Sequence, residues 1–281
     1  MSRPVFSPET LPELFDLLRA MPQARLMAGG TDLLVRLRHA PDDQNPLACL
    51  ERIAGLGVIE EENGFIRLGA AASLAAIARH GLVRRRLPVL ARAISELGSP
   101  PVRNMGTIGG NICTASPAGD TLPPLYALDA LVELAGAAGA RRLPLADFIR
   151  APGKTALQPG ELVTAALIPA QPAFDVNHFE KVGRRSALAV AVVSLAALVR
   201  FGSAGRVAGA RIALGSVGPT VLRAGRAENA LIGGKLTLAA LRRAAALVRE
   251  EVEPIDDIRA SADYRREVAG NLLLRLAGLR G

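Results

Sequence analysis

Arg103-Asn104-Met105-Gly106-Thr107-Ile108-Gly109-Gly110-Asn111-Ile112-Cys113-Thr114-Ala115-Ser116-Pro117-Ala118-Gly119-Asp120 is the stretch that decides how this chain is read. Gly106, Gly109 and Gly110 fall within five residues. Glycine loses more backbone freedom on folding than any other residue, so such a run answers a need for bare main chain. Bare main chain lets N–H groups approach a bulky ligand, and successive N–H groups form an anion-binding nest. Thr107, Asn111, Thr114 and Ser116 add side-chain donors, and Asp120 adds an acceptor. This set suits a dinucleotide, with donors for its phosphates and an acceptor for sugar or polyol hydroxyls. From spacing alone the run is equally a long turn between a helix and the next element. It is neither G-x-x-x-x-G-K-[ST], since no Lys follows, nor G-x-G-x-x-G.

Upstream, Arg25-Leu26-Met27-Ala28 reads as a strand running into Gly29-Gly30, and Thr31 caps a turn of helix bearing Leu33, Leu34 and Leu37. As local structure this is an ordinary strand–turn–helix joint. Taken together, Thr107-Ile108-Gly109-Gly110-Asn111, Ala115-Ser116-Pro117, Asp120 and Ala28-Gly29-Gly30-Thr31-Asp32-Leu33 resemble the two flavin motifs of the FAD-binding (medium) subunits of molybdenum hydroxylases. That family includes xanthine dehydrogenase and carbon monoxide dehydrogenase. Arg211 to Thr220, and Tyr264-Arg265-Arg266 before a final Leu-rich helix, resemble the C-terminal domain of the same subunits. The resemblance therefore runs through the chain in order.

The resemblance implies an α+β fold. A two-subdomain FAD-binding domain would span residues 1–172, and a C-terminal domain of a three-stranded sheet with helices would span 173–281. It implies that Met27 to Leu33, with Thr107, Gly109 and Gly110, hold the FAD pyrophosphate. Asn111, Thr114 and Asp120 match positions that contact phosphate, ribityl or ring atoms. Leu97, Leu162 and Val163 match positions flanking the flavin, although core packing alone would also explain them. Lys181 matches a position at the isoalloxazine, where a cation would stabilise the negative charge of the reduced ring. The plainer reading of Lys181 is a surface lysine with a buried stem. Asp32 is expected to order its loop rather than act as an acid. Pro101 stands where the family often has Gln, and Gly119 where it has Ala or Ser.

The function so implied is electron transfer through FAD. A large partner with a molybdenum cofactor would hydroxylate a substrate, and a small partner with 2Fe–2S clusters would pass the electrons on. FAD here would deliver them to NAD⁺, oxygen or a quinone, a choice the sequence leaves open. The alternative is a free-standing flavin oxidase.

Composition narrows the rest. A length of 281 residues suggests about two domains. The net charge of +8 arises from 34 Lys and Arg against 26 Asp and Glu. The basic residues come in pairs and triplets such as Arg84-Arg85-Arg86, not interleaved with aromatics for base stacking, which argues against nucleic acid. A solvated surface or a contact with an acidic partner is expected instead. Cys49 and Cys113 are the only cysteines, too few for an iron–sulfur cluster or structural zinc. No four-cysteine insertion is present, which excludes the branch resembling benzoyl-CoA reductase. No disulfide framework is expected, consistent with a cytoplasmic protein. The start, Met-Ser-Arg-Pro-Val-Phe-Ser-Pro, has no apolar signal core, and the apolar run Ala187 to Val199 is shorter than the ~20 residues of a membrane span. His39, His80 and His178 are scattered, and Cys113 is expected to be a buried spectator thiol.

The pattern also predicts elements. Ser7 opens a helix carrying Leu11, Leu14, Phe15 and Leu18, closed by Pro22. Strands follow at Ala48–Ile53 and around a hairpin turn at Asn63-Gly64. Helices are expected from Ser73 to Gly81 and Pro88 to Leu97, then a central loop and a short helix from Leu122. Strands are expected at Leu131–Leu134, Arg142–Leu145 and Glu161–Ile168, with a domain boundary at Pro169 to Pro172. Beyond it come strands Ala187–Val199 and Val207–Leu214, then helices Arg223–Ile232, Leu238–Val252 and Asp263–Leu279.

Overall fold

The computed structural model describes residues 3–170 and 172–279. Met1, Ser2, Gln171 in the expected boundary, Arg280 and Gly281 lie outside the described residues. The chain is α+β. The first subdomain is a parallel three-stranded sheet, in the order Val5–Phe6, Leu47–Cys49, Arg25–Met27. Helix Leu11–Ala20 covers it and buries Leu14 and Leu18 against Ala48, Leu50, Ile53 and Leu56. That helix starts later than Ser7 suggests. Thr10 is its cap, accepting the Glu13 N–H, and Pro12 sits in the first turn where no donor is lost.

The second subdomain is an antiparallel sheet in the order Ile59–Glu62, Phe65–Gly69, Leu162–Pro169, Leu131–Gly136, Gly139–Pro144. Asn63 at φ 50° and Gly64 at φ 78° make its first hairpin turn, as the Asn-Gly pair predicts. The expected strand at Ala48–Ile53 is shorter, ending at Cys49, because Leu50 and Ile53 turn inward to the core. The central stretch departs most from expectation. It is two short helices, Pro100–Met105 and Ile108–Thr114, rather than a loop. Each has a side-chain cap: Ser99 accepts the Val102 N–H and Thr107 the Gly110 N–H. Glycine disfavours a helix interior by about 1 kcal/mol. Here the caps and the packing of Ile108 and Ile112 in the core outweigh it.

The C-terminal part is an antiparallel sheet of Val176–Val182, Val193–Phe201, Val207–Gly215 and a short fourth strand, Leu222–Arg223, beyond the three expected. The apolar run from Ala187 becomes strand only at Val193. Residues 183–192 form a loop in which Leu188 takes φ 55° and its carbonyl accepts from Arg185. Helices Gly225–Leu231, Leu238–Glu251 and Ala262–Leu274 complete this part. The last one tightens into a 3₁₀ turn at Arg275–Gly278 instead of continuing to Leu279. Helix Leu122–Ala127, buried at every position, lies between the sheet Val176–Arg223 and the second subdomain. Among the described residues no helix is long and apolar enough to cross a membrane.

Candidate functional site

A cleft of about 330 Å³ opens between the first strand–turn–helix joint and the two short central helices. Of the residues singled out from sequence, Met27, Ala28, Gly29, Gly30, Thr31, Asp32, Leu33, Leu97, Thr107, Gly110, Asn111 and Thr114 line it. The two glycine strings meet because their main chains touch. A Cβ on Gly29 would lie 1.6 Å from the Met105 carbonyl oxygen, so no side chain fits there. Asp32 ties the strings together: it accepts the Thr114 hydroxyl at 3.1 Å and pairs with Arg36 at 2.7 Å. Thr114 also donates to the Gly110 carbonyl at 3.0 Å, and the Thr121 hydroxyl donates to the Asn111 side-chain oxygen.

With the Asp32 and Arg36 charges of this cleft paired to each other, its free donors include main-chain N–H groups. Among the described residues, the N–H groups of Gly29, Gly30, Thr31 and Asp32 meet no acceptor within the protein. Four consecutive donors on a turn form an anion nest. Gly109 plays a different part. It donates to the Ala70 carbonyl at 2.9 Å, and a Cβ there would lie 2.6 Å from the Ala70 side chain, so this glycine seats its helix on the sheet.

Asp120 and Lys181 come together outside this lining, at a junction between the two halves of the chain. Lys181 Nζ donates to Asp120 Oδ2 at 2.7 Å, to the Glu96 carbonyl at 2.7 Å and to the Ala189 carbonyl at 3.3 Å. Both side chains are only 7 % exposed, which rules out the plainer reading of Lys181 as a surface residue. Burial pushes the Asp120 carboxyl up to about 6, against the pull of Lys181. Its other oxygen, Oδ1, is buried with no partner. The junction adjoins the cleft through one peptide, since Glu96 supplies the carbonyl and Leu97 the cleft wall. Lys181 also lines a cavity of about 870 Å³, together with Arg92, Arg103, Arg184 and Arg185.

Leu162 and Val163 are not brought to the cleft. Both are buried, Leu162 beneath the first subdomain's helix and Val163 in the main core. Burial pushes the Cys113 thiol up to about 12, so it carries no thiolate. Among the described residues no cluster of His, Cys, Asp and Glu could hold a metal ion. Sequence reasoning missed Arg36 and Glu96. The four-residue spacing from Asp32 on a helix was a signal for Arg36. The role of Glu96 is carried by its carbonyl, which no side-chain pattern reveals.

Two family profiles cover the chain: the FAD binding domain in molybdopterin dehydrogenase matches residues 1–171, and the CO dehydrogenase flavoprotein C-terminal domain matches residues 177–278. The xanthine dehydrogenase FAD-binding subunit of Escherichia coli O157:H7 is 33 % identical over 259 residues, 91 % of this chain and 88 % of that protein. The nicotinate dehydrogenase FAD-subunit of Eubacterium barkeri is 31 % identical over 277 residues, 96 % of this chain and 93 % of that protein. A solved structure of carbon monoxide dehydrogenase from Hydrogenophaga pseudoflava superposes with a TM-score of 0.93 at 32 % identity, covering 100 % of this chain and 97 % of that one. The chain belongs to the family of FAD-binding subunits of molybdenum hydroxylases, and it is an oxidoreductase flavoprotein.

The residues present fit FAD. The nest at Gly29 to Asp32 offers unpaired donors to a pyrophosphate, and the orphaned Asp120 Oδ1 is a buried acceptor awaiting a hydroxyl or N–H.

Proposed function

Taking family membership as the premise, we propose that this chain is the electron-transfer medium subunit of a three-component molybdenum hydroxylase. Its partners are a large chain with the molybdenum cofactor and a small chain with 2Fe–2S clusters. Electrons arriving from the small chain leave through FAD to a terminal acceptor, and the assembly works in the cytoplasm. The FAD-binding domain spans 1–172 and the C-terminal domain 173–281. The isoalloxazine, when bound, supplies the redox chemistry; the protein positions it and sets its electrostatics.

The observation that carries this reading is a cleft with a main-chain anion nest at Gly29 to Asp32 and, one peptide beyond its wall at Leu97, a buried cation. Gly29 to Asp32 bind the pyrophosphate, and Thr107, Gly110, Asn111 and Thr114 complete that wall of the cleft. Each charge-assisted hydrogen bond contributes about 1.5–3 kcal/mol, so a few give tight binding. Leu97 would flank the ring. Lys181, held by Asp120 and two carbonyls, would offer a fixed positive charge to stabilise the negative charge of a reduced flavin. Leu162 and Val163 act through the core that carries this wall.

Binding is non-covalent, because neither the Cys113 thiol nor any histidine lines the cleft in reactive form. The test is to express the chain alone and beside its neighbouring open reading frames, then assay flavin, metal and substrate turnover. FAD in the single chain, with molybdenum, iron and hydroxylation only in the complex, is the expected result. A metal-free single chain that oxidises an organic substrate with oxygen would overturn it.

A further inference from the structure

The Lys181–Asp120 junction is one of two grips that the C-terminal sheet takes on helix Leu122–Ala127. The near grip lies just before the helix: Lys181 holds Asp120, and the Ser216 N–H donates to the Pro117 carbonyl at 2.9 Å. The far grip lies just after it, at Asp129, which takes the left-handed backbone at φ 52°. Arg211 Nη1 pairs with Asp129 Oδ2 at 2.9 Å, and Arg223 Nη1 with Oδ1 at 2.7 Å. The same two guanidinium groups donate to the last carbonyls of the helix, Arg223 to Tyr126 at 3.0 Å and Arg211 to Ala127 at 3.3 Å. Cations at that end also complement the helix dipole.

Both arginines are themselves braced. Glu228 accepts from Arg223 and from the Ile212 N–H at 2.7 Å, and Arg211 lies 5.4 Å from the centre of the Phe174 ring. The helix between the grips is a rigid, fully buried strut. Its six residues cannot tilt at one end without moving the other, because close-packed interiors transmit displacement.

We infer that Asp129 is a positioning residue for the flavin site: by clamping Arg211 and Arg223 at the far end of helix Leu122–Ala127, it fixes Asp120, and through Asp120 the ammonium of Lys181. This rests on the reading of Lys181 as the cation beside the flavin. It assigns a role in tuning that site to residues that line neither the cleft nor the cavity beside Lys181.

The test uses Asp129→Asn in the full chain. Asn tolerates the left-handed backbone as Asp does, so the substitution removes charge and spares the turn. In the FAD-free protein, amides of residues 115–121 should exchange about fivefold faster than in wild type, reporting local opening at the near grip. With FAD bound at matched occupancy, the midpoint potential should move in the same direction as in Lys181→Met, and by less. In the Lys181→Met background, Asp129→Asn should move it no further. Glu250→Gln, which breaks the exposed 2.8 Å pair with Arg226, should change neither readout.

Unchanged exchange at 115–121, or a shift that adds fully to that of Lys181→Met, would overturn the inference, since independent sites add. If Asp129→Asn does not fold, Arg211→Gln removes half of the clamp and is read the same way. If Lys181→Met itself leaves the potential unchanged, the assignment of Lys181 fails, and the exchange arm still decides whether the far grip controls the near one.

Discussion

The cleft and the junction solve two different problems with two different materials. The cleft's nest is made of main chain, held where two glycine strings touch, and the unpaired N–H groups of Gly29 to Asp32 are donors that mutation of a side chain does not remove. The junction is centred on two charged side chains, one from each half of the molecule, and its charge depends on how those halves dock. Under the proposed function, a nest of backbone donors would grip a phosphate whose charge never changes, and a buried ammonium would answer a ring whose charge does change. Holding the cofactor and tuning it would then be separable by mutation.

The largest effect should come from the contact that builds the cleft. Gly29→Val would drive a branched side chain into the Met105 carbonyl, where even a Cβ falls 1.6 Å away. Overpacking of this kind costs about 1–3 kcal/mol or more. Loss of FAD binding and a lowered unfolding temperature are expected; wild-type values of both would show that the strings need not touch.

Next in size is the pH dependence of the junction. Asp120 sits at about 6 in the folded chain against an ordinary 3.8. The folded state therefore holds this proton more tightly than the unfolded one. The contribution is whole below pH 3.8 and is lost as pH rises through about 6, a change of about 3 kcal/mol. Urea unfolding of the FAD-free chain between about pH 4 and about pH 7.5 should show this loss in wild type and a flatter profile in Asp120→Asn. Equal slopes would show that the carboxyl is not held in a dry site.

How much of each region was legible follows from the same contrast. The cleft could be read because its determinants are contiguous: Ala28 to Leu33 and Thr107 to Asn111 carry the bare backbone in their spelling. Even so, the second string spells a loop where the chain forms two short helices, because its glycines mask the capping hydroxyls of Ser99 and Thr107. The junction was not legible from local pattern. Lys181 and Asp120 stand 61 residues apart, and nothing in either neighbourhood announces the other. Asp120 stood out as an acceptor at the end of its string and Lys181 only by resemblance, and neither signal could say that they pair. Resemblance also marked Leu162 and Val163, which the fold sends into the core. Strand ends failed for a similar reason: Ala187 to Val192 are apolar enough for a strand, yet the loop that presents the Ala189 carbonyl to Lys181 needs them.

A smaller effect separates ligand contact from packing within the second string. Gly110 faces the cleft and is crowded only by the Thr107 hydroxyl, at 3.1 Å from an added Cβ. Gly110→Val should keep the fold and weaken FAD binding about 10- to 100-fold in a fluorescence titration, through a blocked phosphate approach and a restricted backbone. Unchanged affinity would make Gly110 a turn residue only.

Thr114→Val should have the smallest effect. It removes one hydroxyl bond to Asp32 and one to Gly110, at about 1 kcal/mol for a typical net hydrogen bond. FAD affinity should fall, but by less than in Gly110→Val, and unchanged affinity would show that this hydroxyl serves neither the cofactor nor the loop around it.

The separation of holding from tuning is tested most directly by a redox titration of wild type, Gly110→Val and Lys181→Met, each at the same FAD occupancy. Lys181→Met keeps most of the stem and removes the charge. The expected result is a lower midpoint potential for Lys181→Met and a wild-type potential for Gly110→Val once its site is filled. Equal potentials for Lys181→Met and wild type, or a shift in Gly110→Val, would contradict it.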